Sequence, residues 1–289
     1  MSSHSSALIS KPQRRLLSID VDDLLIANAD FFDEPLLPDY NTNIEHELIS
    51  ALDLLQECGV HATFFVNAQY CAGHSDALRE IVTRGHSVAS HGYRHKNIGA
   101  LSPDDFERDL GLSIEQLSWL GAEIIGYRPP AFSMPYDDYH LKVLSKHGIR
   151  YVSSGVGVAR SNAPKSNDPV VIPHGLMHVP ISTVHIPVVG VKYAIGYGVT
   201  SRLMPERVYL RSVREWLKRR DYFHWYCHTF ELSGLSDSFT IPYRGLSARI
   251  STAIYAFRCR GRREFMKSII KSADFDSIEN SLFPDASRP

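Results

Sequence analysis

Three acidic residues follow the first apolar run of the chain, and carboxylates at such a place can take up protons or bind a metal ion. Leu16-Leu17-Ser18-Ile19 leads directly into Asp20-Val21-Asp22-Asp23. A carboxylate at the end of a buried run is costly unless it is paired or binds a cation. If the strand continues through these residues, Asp20 and Asp22 lie on one face and Asp23 on the other. The pattern fits a general base beside a metal ligand, or else a cap on a turn or helix.

Two histidines separated by four positions follow a later apolar run. His91-Gly92-Tyr93-Arg94-His95 comes directly after a predicted strand that ends at Ser90. Two imidazoles at this spacing bind one metal if the segment makes a helical turn, and zinc favours imidazole nitrogen together with carboxylate oxygen. The chain has 14 histidines, so the alternative is a chance pair of solvated side chains. Their position after a strand, like that of Asp20 and Asp22, favours the metal site.

An arginine and a histidine at two further strand ends complete the set of candidate residues. Arg128-Pro129-Pro130 is either a rigid turn or a guanidinium that holds a carboxylate bidentately and keeps it ionised. His224 and His228 belong to the last strand-like run, where a spacing of four places them on one face. His228 is either a structural histidine or a member of the site.

Short apolar runs alternate with amphipathic ones, which predicts the elements that position these residues. Repeated strand–helix units imply a mostly parallel α/β sheet, in which side chains at the carboxyl ends of the strands share one rim. From residue 235 onward the pattern indicates a helical appendage. Strands are predicted near 16–21, 61–66, 86–90, 123–127, 149–153, 177–184 and 222–230, and helices near 42–58, 75–84, 102–120, 138–147 and 205–218.

The composition narrows the class of protein. The chain has 289 residues, with 31 Lys and Arg against 32 Asp and Glu, and this balance argues against a dedicated nucleic-acid binder. No run approaches the ~20 apolar residues of a transmembrane helix. The first residues lack the apolar core of a signal peptide, so we expect a cytoplasmic protein. The four cysteines lack CxxC spacing, which argues against a cysteine zinc site.

Taken together, these residues resemble the polysaccharide deacetylase family, also called the NodB-homology group or carbohydrate esterase family 4. The similarity covers residues 16–235, and the order of its motifs is more specific than any single one. Segments 128–133, 179–183 and 228–231 are similar to a branch that acts in bacterial exopolysaccharide and surface-glycan pathways. The motifs are Ser18-Ile-Asp20-Val-Asp22-Asp23, Ala62-Thr-Phe-Phe-Val66, Gly85-His-Ser-Val-Ala-Ser-His91-Gly-Tyr-Arg-His95, Gly126-Tyr-Arg128-Pro-Pro-Ala-Phe132-Ser and Tyr151-Val-Ser-Ser154.

The resemblance implies a role for each candidate residue. It makes Asp20 the catalytic base, Arg128 the residue that orients this base, and His228 the catalytic acid. Asp22, His91 and His95 become the ligands of a divalent metal, for which Zn²⁺ fits the ligand types.

Two departures from the family pattern leave questions open. Where many relatives have adjacent acids followed by Gly, Val21 intervenes and Asp23 takes the Gly position, so Asp23 is an alternative to Asp22 as ligand. Where many relatives carry an acid, this chain has Val152, so a carboxylate that assists His228 must come from elsewhere. Glu231 is one candidate for that carboxylate.

The resemblance also implies the fold, the domains and the activity. The implied fold is a distorted, incomplete (β/α) barrel of the NodB type over residues 14–235, preceded by a flexible segment 1–13 and followed by a helical extension 236–289. The implied activity is metal-dependent hydrolysis of an amide bond other than a peptide bond, which removes N-acetyl groups from an amino sugar in a bacterial polysaccharide or surface-glycan pathway. The alternatives are an allantoinase-like cyclic-amide hydrolase, an amino-sugar deformylase and a non-catalytic glycan-binding barrel.

The expected partner is an N-acetylated sugar or glycan. A cytoplasmic location would favour a nucleotide-linked sugar, a lipid-linked glycan intermediate or a small molecule. The basic segments 211–220 and 258–263 could meet a pyrophosphate or, without a transmembrane segment, make peripheral contact with an anionic membrane. The alternative is that they form solvated helix faces.

Overall fold

The computed structural model describes residues 13–22, 43–155, 163–186, 191–233, 245–259 and 261–285. The strands are β1 (Arg14–Val21), β2 (Thr63–Val66), β3 (Ser87–Ser90), β4 (Gly126–Tyr127), β5 (Tyr151–Gly155), β6 (Val170–Val171), β7 (Met177–Ile181), β8 (Val184–Ile186), β9 (Val191–Tyr193) and β10 (Tyr222–His228). The α-helices are α1 (Ile44–Cys58), α2 (Cys71–Thr83), α3 (Pro103–Ser118), α4 (Asp138–Lys146), α5 (Gly198–Leu203), α6 (Glu206–Arg219), α7 (Thr229–Ser233), α8 (Leu246–Cys259), α9 (Arg263–Ile270) and α10 (Ile278–Leu282).

Eight strands form one curled sheet in the order β10-β1-β2-β3-β4-β5-β7-β6. All neighbours pair in parallel except β6, which is antiparallel to β7. Between β7 and β10 there is no strand ladder among the described residues, and the sheet is bridged there by single bonds such as Ser182 N–H to the His224 carbonyl at 3.2 Å. The sheet is therefore a distorted, incomplete barrel, and the fold class predicted from the sequence is confirmed.

Local sequence signals explain where the helices begin and end. The buried face of α1 consists of apolar residues at helical spacing, and α1 ends at Gly59, whose φ of 66° is left-handed. The helix α3 begins with Pro103. Ser102 caps it, because the Ser102 side chain accepts a hydrogen bond from the Asp105 N–H. These helices cover the outer face of the sheet and bury its apolar side chains in one large core.

The structure differs from the predicted elements at three places. The strand predicted over 177–184 is divided into β7 and β8, and β4 has only two residues. The last strand ends at His228 rather than Phe230, because the Glu231 carboxylate accepts the His228 N–H at 2.7 Å and the chain turns into α7.

The end of the chain packs against the barrel where the strands begin. The Leu17 N–H donates to the Asp276 carbonyl at 3.0 Å, and Ile278 is completely buried. Glu279 of α10 is buried as well, and it accepts hydrogen bonds from the hydroxyls of Thr63 and Tyr151. The extension predicted over 236–289 therefore contributes part of the core. The boundary at 235–236 and residues 1–12 of the predicted N-terminal segment lie outside the described ranges.

The helices can also be compared with the thickness of a membrane. Within the ranges that the structure describes, none of them combines the length and the apolar character that are needed to span a bilayer.

Candidate active site

The parallel strands bring the candidate residues to one rim of the barrel. Asp20 is the penultimate residue of β1, and Asp22 lies just beyond its end. His91 and Arg128 directly follow β3 and β4, and His228 is the last residue of β10. Parallel strands end at the same edge of a sheet, so residues that are far apart in sequence become neighbours there.

Three of these residues form a compact set of metal-ligand types. Asp22 Oδ2 lies 3.3 Å from His91 Nε2 and 3.4 Å from His95 Nε2. One donor atom from each residue falls within 4.8 Å of the other two. Burial alone would raise the pKa of the Asp22 carboxyl, but the nearby imidazoles of His95 and His91 hold it well below its usual range. An ionised carboxylate between two imidazoles is a donor set that zinc favours.

The hydrogen bonding around this set fits a cation. His91 Nδ1 donates to the Arg128 carbonyl at 2.7 Å, which leaves Nε2 as the nitrogen directed at Asp22. Asp22 Oδ1 and His95 Nδ1 are buried and lack hydrogen-bond partners among the described residues. Buried polar atoms are normally paired, so the unpartnered Asp22 oxygen supports a cation as the missing partner.

A tight loop, and not the expected helical turn, brings His95 to the site. Gly92 and His95 have φ angles of 79° and 51°. A left-handed conformation is strained for His95, and strain of this kind often marks functional sites. The Tyr93 N–H donates to Asp109 Oδ2 at 2.8 Å, which ties the loop to α3.

A buried guanidinium holds the carboxylate of Asp20. Arg128 Nη1 donates to Asp20 Oδ1 at 2.5 Å, while Nη2 donates to the hydroxyls of Ser18 at 2.6 Å and Ser153 at 2.8 Å. The guanidinium also lies over the Phe65 ring, 3.9 Å from its centroid. Asp20 is therefore held in one orientation, with its second oxygen 3.7 Å from His91 Nε2.

A second histidine of β10 extends this network beneath the site. His224 Nδ1 donates to the Pro180 carbonyl at 3.1 Å, so Nε2 accepts from the Ser18 hydroxyl at 2.7 Å. Burial, together with the charge of Arg128, lowers the pKa of His224 well below its usual value. His224 is thus a neutral acceptor that orients Ser18 toward Arg128.

The imidazole of His228 is engaged at both nitrogens. Nδ1 lies 3.2 Å from Glu231 Oε2, and Nε2 lies 3.0 Å from the Tyr226 hydroxyl. Burial lowers the pKa of His228, but the hydrogen bond and charge of Glu231 outweigh this effect and raise it. Valine at position 152 has no carboxylate to offer. In this structure the carboxylate beside His228 is that of Glu231.

A second group of possible ligands consists of Asp20, Asp22 and His228. Asp20 already accepts a hydrogen bond from Arg128, and the Nε2 atom of His228 is hydrogen-bonded to the Tyr226 hydroxyl. Of the two groups, the set of Asp22, His91 and His95 is therefore the better suited to hold a cation. Asp23, the alternative ligand, lies outside the described residues.

Sequence reasoning missed several polar and aromatic residues at the site. Ser18 and Tyr226 each precede a candidate residue by two positions, so period-two alternation could have placed them on the same face. Phe132 and Tyr197 lie against Tyr226, with ring centroids 5.7 and 5.3 Å away. Phe132 has a left-handed φ of 54°, which no sequence signal indicated.

Comparison with known proteins relates the chain to deacetylases. Residues 40–152 match the family model described as Polysaccharide deacetylase. A chitooligosaccharide deacetylase of Rhizobium leguminosarum bv. trifolii is 37% identical over 59 residues, 20% of this chain and 27% of that protein. A peptidoglycan-N-acetylglucosamine deacetylase of Bacillus cereus is 28% identical over 87 residues, 30% of each chain. The aligned segments thus span about a third or less of these curated relatives.

Solved structures agree in fold over most of the chain. A Mycobacterium smegmatis protein assigned as a polysaccharide deacetylase superposes with a TM-score of 0.56 at 21% identity, covering 92% of this chain and 88% of that one. A mutant of BA3943, a carbohydrate esterase family 4 pseudoenzyme of Bacillus anthracis, gives a TM-score of 0.51 at 14% identity, covering 94% and 68%. At these identities the likeness shows the fold alone.

Proposed function

We propose that this protein, whose residues 40–152 match the polysaccharide deacetylase family model, is a metal-dependent hydrolase that removes N-acetyl groups from an amino sugar. The observation that carries the proposal is the rim where an Asp22–His91–His95 set adjoins an Asp20–Arg128 pair and an engaged His228. Amide hydrolysis needs a group that takes a proton from water and a group that protonates the leaving nitrogen. The rim offers one of each, because one ligand atom each of Asp20, Asp22 and His228 lies within 4.8 Å of the other two.

The metal would be held by Asp22, His91 and His95. We infer Zn²⁺ from the two imidazoles and one carboxylate. When bound, a divalent cation supplies a Lewis acid that activates water and polarises the amide carbonyl.

Asp20 is the base of the proposed reaction. Its carboxylate takes a proton from the attacking water, while the paired guanidinium of Arg128 keeps it oriented. The side chain of Asp20 is 3% exposed, so bulk water does not compete for its hydrogen bonds.

His228 is the acid of the proposed reaction. Glu231 favours the protonated imidazole. Its Nε2–H, which faces the Tyr226 hydroxyl in this structure, can instead donate its proton to the leaving nitrogen. As the C–N bond breaks, that nitrogen gains the proton from His228 and the acyl carbon keeps the water oxygen. The products are acetate and a free amino sugar.

We place the substrate in a bacterial polysaccharide or surface-glycan pathway and the protein in the cytoplasm. Support for a glycan comes from the relatives, a chitooligosaccharide deacetylase and a peptidoglycan-N-acetylglucosamine deacetylase. For the domains we retain the division into residues 1–13, a barrel over 14–235 and an extension over 236–289.

Acetate release and metal content test the proposal together. The purified protein is reconstituted with Zn²⁺ and assayed on acetylated nucleotide sugars and on chitooligosaccharides. We expect Asp20→Asn to lose acetate release but keep the metal, and His91→Ala to lose both. Undiminished release in both variants would reject the mechanism.

The same assay separates the alternative activities. Formate in place of acetate would indicate a deformylase, and turnover of cyclic amides alone would indicate an allantoinase-like hydrolase. Sugar binding without any turnover would indicate a glycan-binding barrel.

A further inference from the structure

The helix α8 presents a stripe of exposed apolar side chains. Leu246, Ile250, Ile254 and Phe257 are 72, 51, 50 and 79% exposed. Their spacing of four, four and three residues places them on one face of the helix. Single exposed apolar residues are ordinary, but four in a row on one helix face form a patch of the kind that marks an interaction site.

This stripe lies opposite the face by which α8 is attached to the protein. Thr252, Ala256 and Cys259 are buried, and their spacing of four and three places them on the other side of the helix. The packing of α8 therefore already uses one face, and the apolar stripe is additional to it. A helix that is apolar on two opposite faces is typical of one that is covered on both.

The charge of the surrounding segment indicates what covers the stripe. Residues 244–263 contain six arginines and no acidic residue, in a chain whose net charge is −1. Arg263 is paired with Glu57 of α1 at 3.2 Å. Apolar residues on one face, among basic residues, are the pattern of a helix that lies in the interface of an anionic membrane.

The stripe and the proposed active site are connected through α5. This helix contacts both α8 and β10, the strand that ends at His228. At its first residue, an added Cβ on Gly198 would lie 2.6 Å from Glu231 Oε2, so α5 begins against the carboxylate that engages His228. Leu203, the last residue of α5, is itself 56% exposed and apolar. One short helix therefore leads from the acid side of the site to the apolar surface.

We propose that α8 is a membrane-docking helix, which inserts Leu246, Ile250, Ile254 and Phe257 into the surface of an anionic lipid bilayer. This inference rests on the proposed function for its consequence, since a docked barrel would act on an amino sugar carried by a lipid. The docking itself is independent of the catalytic residues.

Vesicle co-sedimentation of the full chain tests the proposal. The vesicles are phosphatidylcholine alone, or phosphatidylcholine with about a third phosphatidylglycerol, at low and high salt. We expect binding to the anionic vesicles that weakens with salt, and little binding to the neutral ones. The triple variant Ile250→Gln, Ile254→Gln and Phe257→Gln should lower the bound fraction at least fivefold, because Gln keeps the helix propensity and removes the apolar surface.

A matched control separates the stripe from exposed apolar residues in general. Trp119→Gln and Val171→Gln replace side chains about as exposed as Leu246 and Phe257. Trp119 directly follows α3 and Val171 belongs to β6, so these variants should leave binding unchanged. Equal loss in control and stripe variants, or no wild-type binding, would overturn the proposal. So would a wild-type dimer that the triple variant turns into a monomer without any vesicle binding, since the stripe would then be a contact between copies.

A soluble substrate keeps this test distinct from the catalytic one. Without vesicles, the triple variant should release acetate at the wild-type rate and melt at the wild-type temperature. Vesicle binding by a wild-type protein that releases no acetate would retain the docking helix and reject the proposed function.

Discussion

The guanidinium of Arg128 reaches the carboxylate of Asp20 across 108 positions of sequence, with Nη1 2.5 Å from Oδ1. Both side chains are buried, and the remaining donors of Nη2 are taken by Ser18 and Ser153. A buried ion pair is favourable only when hydrogen bonds satisfy the remaining groups. The two Nη atoms of Arg128 meet this condition, whereas its buried Nε lacks a hydrogen-bond partner among the described residues. The pair therefore fixes the direction of the base.

Replacing Arg128 by lysine tests whether this direction matters. An ammonium keeps the positive charge but cannot bond Asp20, Ser18 and Ser153 in the same planar arrangement. We expect kcat for acetate release to fall on the order of 100-fold, because a misdirected base costs about that much. Metal content should persist, since His91 is held by the Arg128 backbone carbonyl. An unchanged kcat would show that charge alone is sufficient.

The sequence predicted those site residues whose chemical type is unusual at their position. Asp20, Asp22, His91 and His95 were found because acids and imidazoles after apolar runs are unusual. Ser18 and Tyr226 were missed because serine and tyrosine are common, and their roles depend on which neighbours the strand register supplies. The pairing of Ser18 with His224 requires the alignment of β1 with β10, where Asp20 lies opposite His228.

Metal binding should be measurable as stability, without any substrate. A ligand that binds only the folded state stabilises it by about 2.7 kcal/mol at a hundredfold excess over its Kd. We therefore expect Zn²⁺ to raise the Tm of the wild-type protein by several degrees, and His95→Ala to abolish most of that rise. His174→Ala is the matched control, because His174 bonds Asp138 at 2.8 Å on the surface, away from the rim. A control that loses the same rise would place the metal elsewhere.

The pairing of Glu231 with His228 predicts a change in the pH profile of the reaction. Glu231 raises the pKa of His228 against the effect of burial, so the imidazolium persists to higher pH. Activity that needs this proton declines as the pH rises through that pKa. Glu231→Gln removes the largest of the effects that raise the pKa of His228, so the alkaline limb of kcat/KM should move to lower pH. We also expect a loss of about 10- to 100-fold at the optimum, because general acid catalysis contributes on that scale.

Only the alkaline limb should move in this variant. The acid limb belongs to groups that Glu231 does not touch, so its position serves as an internal control. A profile that is lower but keeps its shape would assign Glu231 to the folding of α7, whose first residues it caps through the His228 N–H.

The C-terminal segment shows why some of the fold could not be predicted. The strand–helix alternation predicted most elements of the barrel, because each strand or helix has its own hydrophobic period. The contact of Asp276 with Leu17 joins two distant segments, and neither residue type announces it. Glu279 likewise resembles a surface glutamate in the sequence, although its side chain lies among the first residues of β2 and β5.

The burial of Glu279 predicts how the stability of the fold depends on pH. Burial raises the pKa of this carboxyl above the ordinary value of 4.5, although Thr63 and Tyr151 donate to it. An acid whose pKa is higher in the folded state favours the fold while protonated. Stability is therefore lost as the pH rises from the unfolded value through the folded one. In Glu279→Gln no proton is released at this position, so this loss disappears.

Comparing Tm for wild type and variant from about pH 4 to about pH 8 isolates the residue, because the other buried groups titrate equally in both. We expect the Tm difference to shift in favour of the variant as pH rises, and a difference that is constant with pH would mean that folding does not raise the pKa of Glu279.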